Sequence, residues 1–256
     1  MRVPVLILRT DGTNCDVETA YAFELVGAEP HLVHVNELRR REVRLTDYRL
    51  LVIPGGFTYG DDVAAGKILA VELTSFLREE IEEFLAKGGL VLGICNGFQV
   101  LVRTGLLPFG KLGEVQAVLM PNAKGRFECR WVRLRVEKSP SVFTRGMEGQ
   151  VVEWQAAHGE GCFYTNAEQL KTIEEQGLVA FRYVDAEGRP TQEYPDNPNG
   201  SLNAIAGLSD PTGRILGVMP HPERFVLPTQ HPNWRRKKIP PAGLFIFQNA
   251  VRAAGG

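Results

Sequence analysis

Over its first hundred residues the chain alternates between short β-branched apolar runs and longer segments of helical period, which leaves few folds open. Residues 4–8, 31–35, 50–53 and 90–94 read as strands. The first is followed by an apolar-periodic helix (Val17, Ala20, Tyr21, Phe23, Leu25) capped by Thr13 or Asn14 and stopped at Gly27. A longer helix is expected over 68–86, ended by Lys87-Gly88-Gly89. Strands in such alternation join by right-handed crossovers, so the expected fold is α/β, an open, mostly parallel sheet flanked by helices.

After Pro121 the pattern becomes richer in strands. Residues 126–137 alternate, but the apolar phase slips from Phe127, Cys129 and Trp131 to Val132, Leu134 and Val136. A bulge, or a strand lying between two packed layers, would account for the slip. Further strands are expected at 150–155, 179–184, 203–206 and 215–219, with helices at 167–176 and 244–253. Residues 196–201 and 228–241 read as loops. No repeat or linker-like stretch divides the chain, so residues 1–256 are read as one domain with a β-rich insertion.

Charge excludes several partners. With 29 basic and 30 acidic residues, no global field recruits nucleic acid or an anionic membrane. The run Arg235-Arg236-Lys237-Lys238 lacks interleaved aromatics and reads as a solvated or partner-facing loop. Cys15, Cys95, Cys129 and Cys162 form no CxxC pair, which argues against a disulfide scaffold and structural zinc. Cys129 and Cys162 fall in strand-like stretches and read as core residues. The apolar run 3–8 is shorter than a signal-peptide core, and no apolar stretch is long enough to span a bilayer. A cytoplasmic protein is the expectation.

One cysteine sits at a corner. "GICNG" (Gly93 to Gly97) lies where a strand passes into a helix, the setting of a nucleophile elbow. A thiol there faces a helix N-terminus, where the dipole and free amides favour thiolate. The same pentapeptide also suits a buried cysteine beside glycines that permit tight packing. "MPHPER" supplies a base: prolines on both sides of His221 extend the segment, which would place His221 and Glu223 on one side. A carboxylate so placed selects the imidazole tautomer and steadies the imidazolium. "PGGF" ends another strand, and its paired glycines let backbone N–H groups face a cavity. Gly56 and Asn96 are thus the expected oxyanion-hole donors.

Elbow, Pro-Gly-Gly loop and His-x-Glu together resemble the triad-type (class I) glutamine amidotransferases. Within them the chain is similar to the glutaminase subunits of phosphoribosylformylglycinamidine synthases. The likeness rests on "GTNCD", "PGGFTYGDD", "GICNGFQ", "RFECRW", "AHGEG", "NPNGS" and "MPHPER", spread in order along the chain. It implies a Rossmann-like (flavodoxin-like) sheet and a catalytic Cys95–His221–Glu223 triad. It also implies Gln99 and Phe57 near bound L-glutamine, with His158 at the pocket rim. Two departures are "LRTDG" before the early cysteine and the tail 229–241, which is similar to the end of long single-chain synthases.

The resemblance implies a glutaminase that releases ammonia through a thioester, for use in de novo purine biosynthesis. ATP and Mg would belong to a large synthetase subunit, usually joined by a small accessory subunit, with no cofactor or metal in this chain. The sequence agrees: Gly60 to Ile68 is a near miss for a phosphate-binding loop, with one residue too many between the glycines and Ile68 where Ser or Thr should bind metal. Cys15, also near a strand end and a helix start, is the rival nucleophile. A partner-free thiol hydrolase of γ-glutamyl compounds and a non-catalytic regulatory subunit are the other functions open to such a chain.

Overall fold

The computed structural model of the chain describes residues 2–255. Apolar runs without polar interruption become strands buried on both faces. β1 (Pro4–Arg9), β3 (Leu50–Ile53) and β4 (Leu90–Ile94) lie side by side in parallel, with Val5 opposite Leu50 and Leu51 opposite Val91. β2 (Glu29–His34) flanks β1, and β11 (Ile215–Val218) pairs in parallel with β4. The resulting parallel block runs β2-β1-β3-β4-β11.

The β-rich stretch does not form a separate layer. β10 (Ile205–Ser209), β9 (Val179–Tyr183), β6 (Glu128–Val136) and β7 (Val151–His158) continue the same sheet in antiparallel fashion, giving nine strands. The direction reverses because β10 and β11 are joined by a short turn. There Asp210 Oδ2 accepts from the Thr212 backbone N–H at 3.0 Å. A small antiparallel pair, β5 (Val118–Pro121) with β8 (Glu160–Tyr164), was not expected from the sequence.

Helices cover both faces: α1 (Asp16–Leu25), α2 (Val35–Arg39), α3 (Lys67–Ser75), α4 (Arg78–Ala86), α5 (Asn96–Arg103), α6 (Ala167–Glu175) and α7 (Leu244–Gly255). The single helix expected over 68–86 is therefore two. Its buried residues Leu69, Leu73, Leu77 and Ile81 recur every four positions, slower than the 3.6-residue turn. An unbroken helix would rotate them away from the sheet, and the break at Phe76-Leu77 restores the phase. The expected cap of α1 is also displaced. Thr13 Oγ1 accepts from the Thr10 N–H at 3.0 Å, leaving Cys15 at the N-cap with no side-chain cap bond.

β6 contains no bulge against β7, since their pairing is continuous from Glu128↔His158 to Arg135↔Val151. The phase slip comes from covering both faces. Val132, Leu134 and Val136 enter the core, while Trp131 packs under the tail, its ring 4.7 Å from that of His231. His231, itself buried, bonds Glu153 of edge strand β7 through Nε2 at 2.8 Å. The tail thus shields a sheet edge, and the run 235–238 beyond it is exposed, as a solvated loop requires. Cys162 is buried but Cys129 is exposed, so the core assignment holds for only one of that pair.

Candidate active site

The C-terminal ends of β1, β3, β4 and β11 converge on one place, the edge at which open parallel sheets bind ligands. Cys95 lies between β4 and α5 with φ 52° and ψ −105°, a strained conformation for a residue with a Cβ. Its glycine neighbours allow the close helix approach that holds the strain in place. A Cβ on Gly97 would lie 1.8 Å from the Ile53 carbonyl oxygen, and one on Gly93 would lie 2.6 Å from that of Gly97. The Cys95 N–H donates to Val218 O at 2.8 Å, and Sγ stands 3.6 Å from Ala157 O of β7. The thiol is therefore fixed at the start of α5, where the Asn96 N–H has no intrahelical partner.

His221 follows β11, and its N–H donates to Gln155 O of β7 at 2.8 Å. Glu223 does not reach it through an extended segment. Pro222 starts a single 3-10 turn (Pro222–Arg224), which folds the carboxylate back onto the imidazole. Nδ1 and Oε1 are 2.5 Å apart, and both side chains are almost wholly buried. Burial works against a charged imidazole. The Glu223 carboxylate, with the sulfurs of Cys95 and Cys15, outweighs it and holds the His221 pKa well above the ordinary value. His221 Nε2 and Glu223 Oε2 have no hydrogen-bond partner among the described residues. A buried ring nitrogen without a partner beside a strained thiol is a site prepared for proton transfer.

The donors of the expected oxyanion hole lie on two interlocked loops. Gly56 adopts φ 147° and Gly12 φ 86°. A Cβ on Gly12 would stand 2.0 Å from Phe57 O, and one on Gly56 would stand 2.8 Å from Asn14 N. The contact is tied by Phe57 N–H to Gly12 O at 2.9 Å and Cys15 N–H to Gly55 O at 3.1 Å. The Gly56 N–H takes no part in these ties. "GTN" and "PGGF" are thus one structural unit read as two motifs.

The remaining expected residues are placed differently from one another. Phe57 is half exposed, its ring 6.4 Å from that of Phe127. Gln99 is buried, with its amide engaged at both ends. Oε1 accepts from Asn96 Nδ2 at 2.9 Å, and Nε2 donates to Glu160 O. His158 is buried beneath the site rather than at its rim. Nδ1 faces Asn122 Oδ1 at 3.1 Å, and burial together with the neighbouring His221 lowers its pKa to about 4, so the ring is neutral.

Sequence reasoning missed a polar network around Asn96. Asn96 Nδ2 also donates to Asp61 Oδ1 at 3.3 Å, and the Thr58 N–H donates to Asn96 Oδ1 at 3.4 Å. Burial, with the charge of nearby Glu160, raises the Asp61 carboxyl to about 6. A carboxyl raised in the folded state favours folding at pH below its unfolded value and loses that contribution as pH rises through the folded one. Asp61→Asn should therefore raise the melting temperature at pH 7 and flatten its pH dependence between about 4 and 6. An unchanged melting curve across that range would show that Asp61 bears no such strain. Only its charge pattern, "GDD" after a glycine loop, marked it in the sequence.

Cys15 is the other surprise. It is buried, and Sγ accepts from Arg224 Nη2 at 3.2 Å and donates to Asn14 Oδ1 at 3.1 Å. Among the described residues no helix is long and apolar enough to cross a membrane.

Comparison with known proteins gives a consistent picture. The CobB/CobQ-like glutamine amidotransferase domain matches residues 2–252. "Phosphoribosylformylglycinamidine synthase subunit PurQ" of Dehalococcoides mccartyi is 47% identical over 99% of this chain and 98% of its own length. The protein of the same name from Methanococcus maripaludis strain S2 is 43% identical, covering 96% of each. A chain in the structure of PurLQS from Thermotoga maritima superposes with a TM-score of 0.77 and 31% identity, covering 98% of this chain and 99% of that one.

Proposed function

The chain belongs to the CobB/CobQ-like glutamine amidotransferase family, and from that premise we propose that it is the glutaminase subunit of a phosphoribosylformylglycinamidine synthase, with Cys95, His221 and Glu223 as its triad. The observation that carries the site assignment is the buried 2.5 Å pair of His221 and Glu223 at the sheet edge where Cys95 forms the elbow.

Cys95 thiolate attacks the side-chain amide carbon of L-glutamine, its proton resting on His221. The carbonyl oxygen becomes an oxyanion and is met by the N–H groups of Gly56 and Asn96, each worth about 3 kcal/mol by the measure of protease holes. His221 gives its proton to the leaving nitrogen, ammonia departs and a γ-glutamyl thioester remains. Water then loses a proton to His221 and attacks the thioester carbon, glutamate leaves, and the proton returns to sulfur. Glu223 offsets the charge on His221 throughout. Phe57 would border the bound glutamine. Gln99 and His158 would act from behind, by fixing Asn96, Glu160 and the end of β7.

Ammonia in bulk water is protonated and loses its lone pair. A synthetase subunit that uses ATP and Mg would therefore dock at the mouth and receive it, converting formylglycinamide ribonucleotide to formylglycinamidine ribonucleotide. A small accessory subunit and a cytoplasmic setting accompany this reading. The test is glutamine hydrolysis by the chain alone and with a large synthetase subunit, ATP and formylglycinamide ribonucleotide. Formylglycinamidine ribonucleotide formed from glutamine only when both chains are present is the expected result. Strong hydrolysis of γ-glutamyl compounds by the isolated chain, unaffected by the synthetase, would favour a free-standing hydrolase.

A further inference from the structure

The mechanism above uses one thiol beside His221, yet two are present. Cys15, at the N-cap of α1, lies beside the His221–Glu223 pair. One ligand atom from each of Cys15, His221 and Glu223 can be chosen so that all three lie within 4.8 Å of one another, and all three residues are buried. Gly55, with no side chain, lets the loop backbone lie directly against Cys15 and His221. A Cβ there would stand 3.1 Å from Cys15 Sγ, 2.8 Å from Cε1 and 3.4 Å from Nδ1 of His221. Glu223 Oε2, on a side chain with no exposed surface, has no partner among the described residues.

We propose that Cys15, His221 and Glu223 form a binding site for a borderline-soft divalent ion of the zinc class, and that occupancy switches the glutaminase off. Thiolate, imidazole and carboxylate are the donor set zinc selects, and magnesium, which prefers oxygen ligands, does not. Binding releases the Cys15 thiol proton and any proton on Nδ1 to solvent. It also replaces the 2.5 Å bond between Nδ1 and Oε1 with two bonds to the metal. Arg224, already donating to the Cys15 sulfur, would steady the resulting thiolate from outside the ligand set. The metal site stands on geometry alone. Its inhibitory effect rests on the proposed role of His221 in turnover.

The two parts separate experimentally. The full-length Cys95→Ala protein, which lacks the other thiol near His221, is titrated with cobalt(II) as a spectroscopic stand-in for zinc. A thiolate-to-cobalt charge-transfer band should appear and vanish in the Cys95→Ala/Cys15→Ser double variant, or in Cys95→Ala/Cys15→Ala if serine disturbs folding. Zinc should also slow alkylation of Cys15 in the Cys95→Ala protein but not that of exposed Cys129, read by peptide mass. In the otherwise native complex, Cys15→Ser should raise the zinc concentration for half inhibition on the order of tenfold or more, while magnesium inhibits neither form. No cobalt band in the Cys95→Ala protein, or a band that survives loss of Cys15, overturns the site. A normal band with turnover unaffected at full occupancy leaves the site standing and overturns the role of His221.

Discussion

Replacing Cys95 with alanine will abolish glutamine-dependent synthesis by the assembled complex while leaving ammonia-dependent synthesis intact. The change removes one sulfur atom and little else. Alanine occupies the same φ 52° corner at the same conformational cost, and the backbone bond from residue 95 to Val218 O does not involve the side chain. The glycine contacts that seat α5 on the sheet are likewise untouched, so folding and docking should persist. Chemistry should not. Without a thiolate there is no thioester, and loss of the nucleophile in enzymes of this type costs about 10⁴-fold or more. Supplying ammonium salt bypasses the missing step, so the ammonia arm distinguishes lost chemistry from lost assembly. If the variant still hydrolyses glutamine at a rate near that of the native chain, Cys95 is not the nucleophile. Labelling with a glutamine-mimicking electrophile would then be expected on Cys15.

Much of this site is legible in the sequence because its parts are short and local. An elbow needs a strand, a cysteine and glycines within one pentapeptide, and all of these are adjacent in the chain. His221 and Glu223 are two residues apart, and the prolines beside His221 announce a rigid segment. Even so, the sequence suggests the wrong local geometry, since Pro222 favours an extended residue before it and also starts the 3-10 turn after it. What the sequence hides is contact at a distance. Nothing near Asp61 points to Asn96, and nothing near Cys15 points to Arg224, because those meetings depend on how β1, β3, β4 and β11 are ordered. Covering works in the same way. The double apolar phase of β6 is visible as a pattern, but its cause is a tail residue, His231, about a hundred positions later. His158 and Gln99 show the converse, polar residues in glutaminase-like motifs whose side chains turn inward: the Gln99 amide is spent on Asn96 and Glu160, and His158 Nδ1 on Asn122.

Glu223→Gln is expected to lower kcat for glutamine by about 10³- to 10⁴-fold with little change in KM, by analogy with an amide in place of the triad carboxylate. Glutamine has the shape of glutamate and fills the same enclosed space, so the packing around residue 223 should survive. Its amide can still accept from Nδ1–H, but it brings no negative charge. Burial is the largest influence on His221, and it opposes the imidazolium. The Glu223 carboxylate is the foremost of the groups that reverse that effect. With the charge removed, the His221 pKa falls, and the ring holds a proton only at lower pH. The proton it must give to departing ammonia is then scarce at pH 7, and the base-side limb of the kcat profile moves to lower pH. KM should stay put because Glu223 occupies Nδ1 of the imidazole and leaves Nε2 as the ring nitrogen free to meet substrate. A variant within tenfold of native turnover and with an unmoved base limb would make Glu223 a packing residue, and the proton transfer would need another source of charge. The same substitution also takes one ligand from the cluster with Cys15. In the Cys95→Ala background it should therefore weaken the cobalt band, a second readout in which geometry and catalysis are separable.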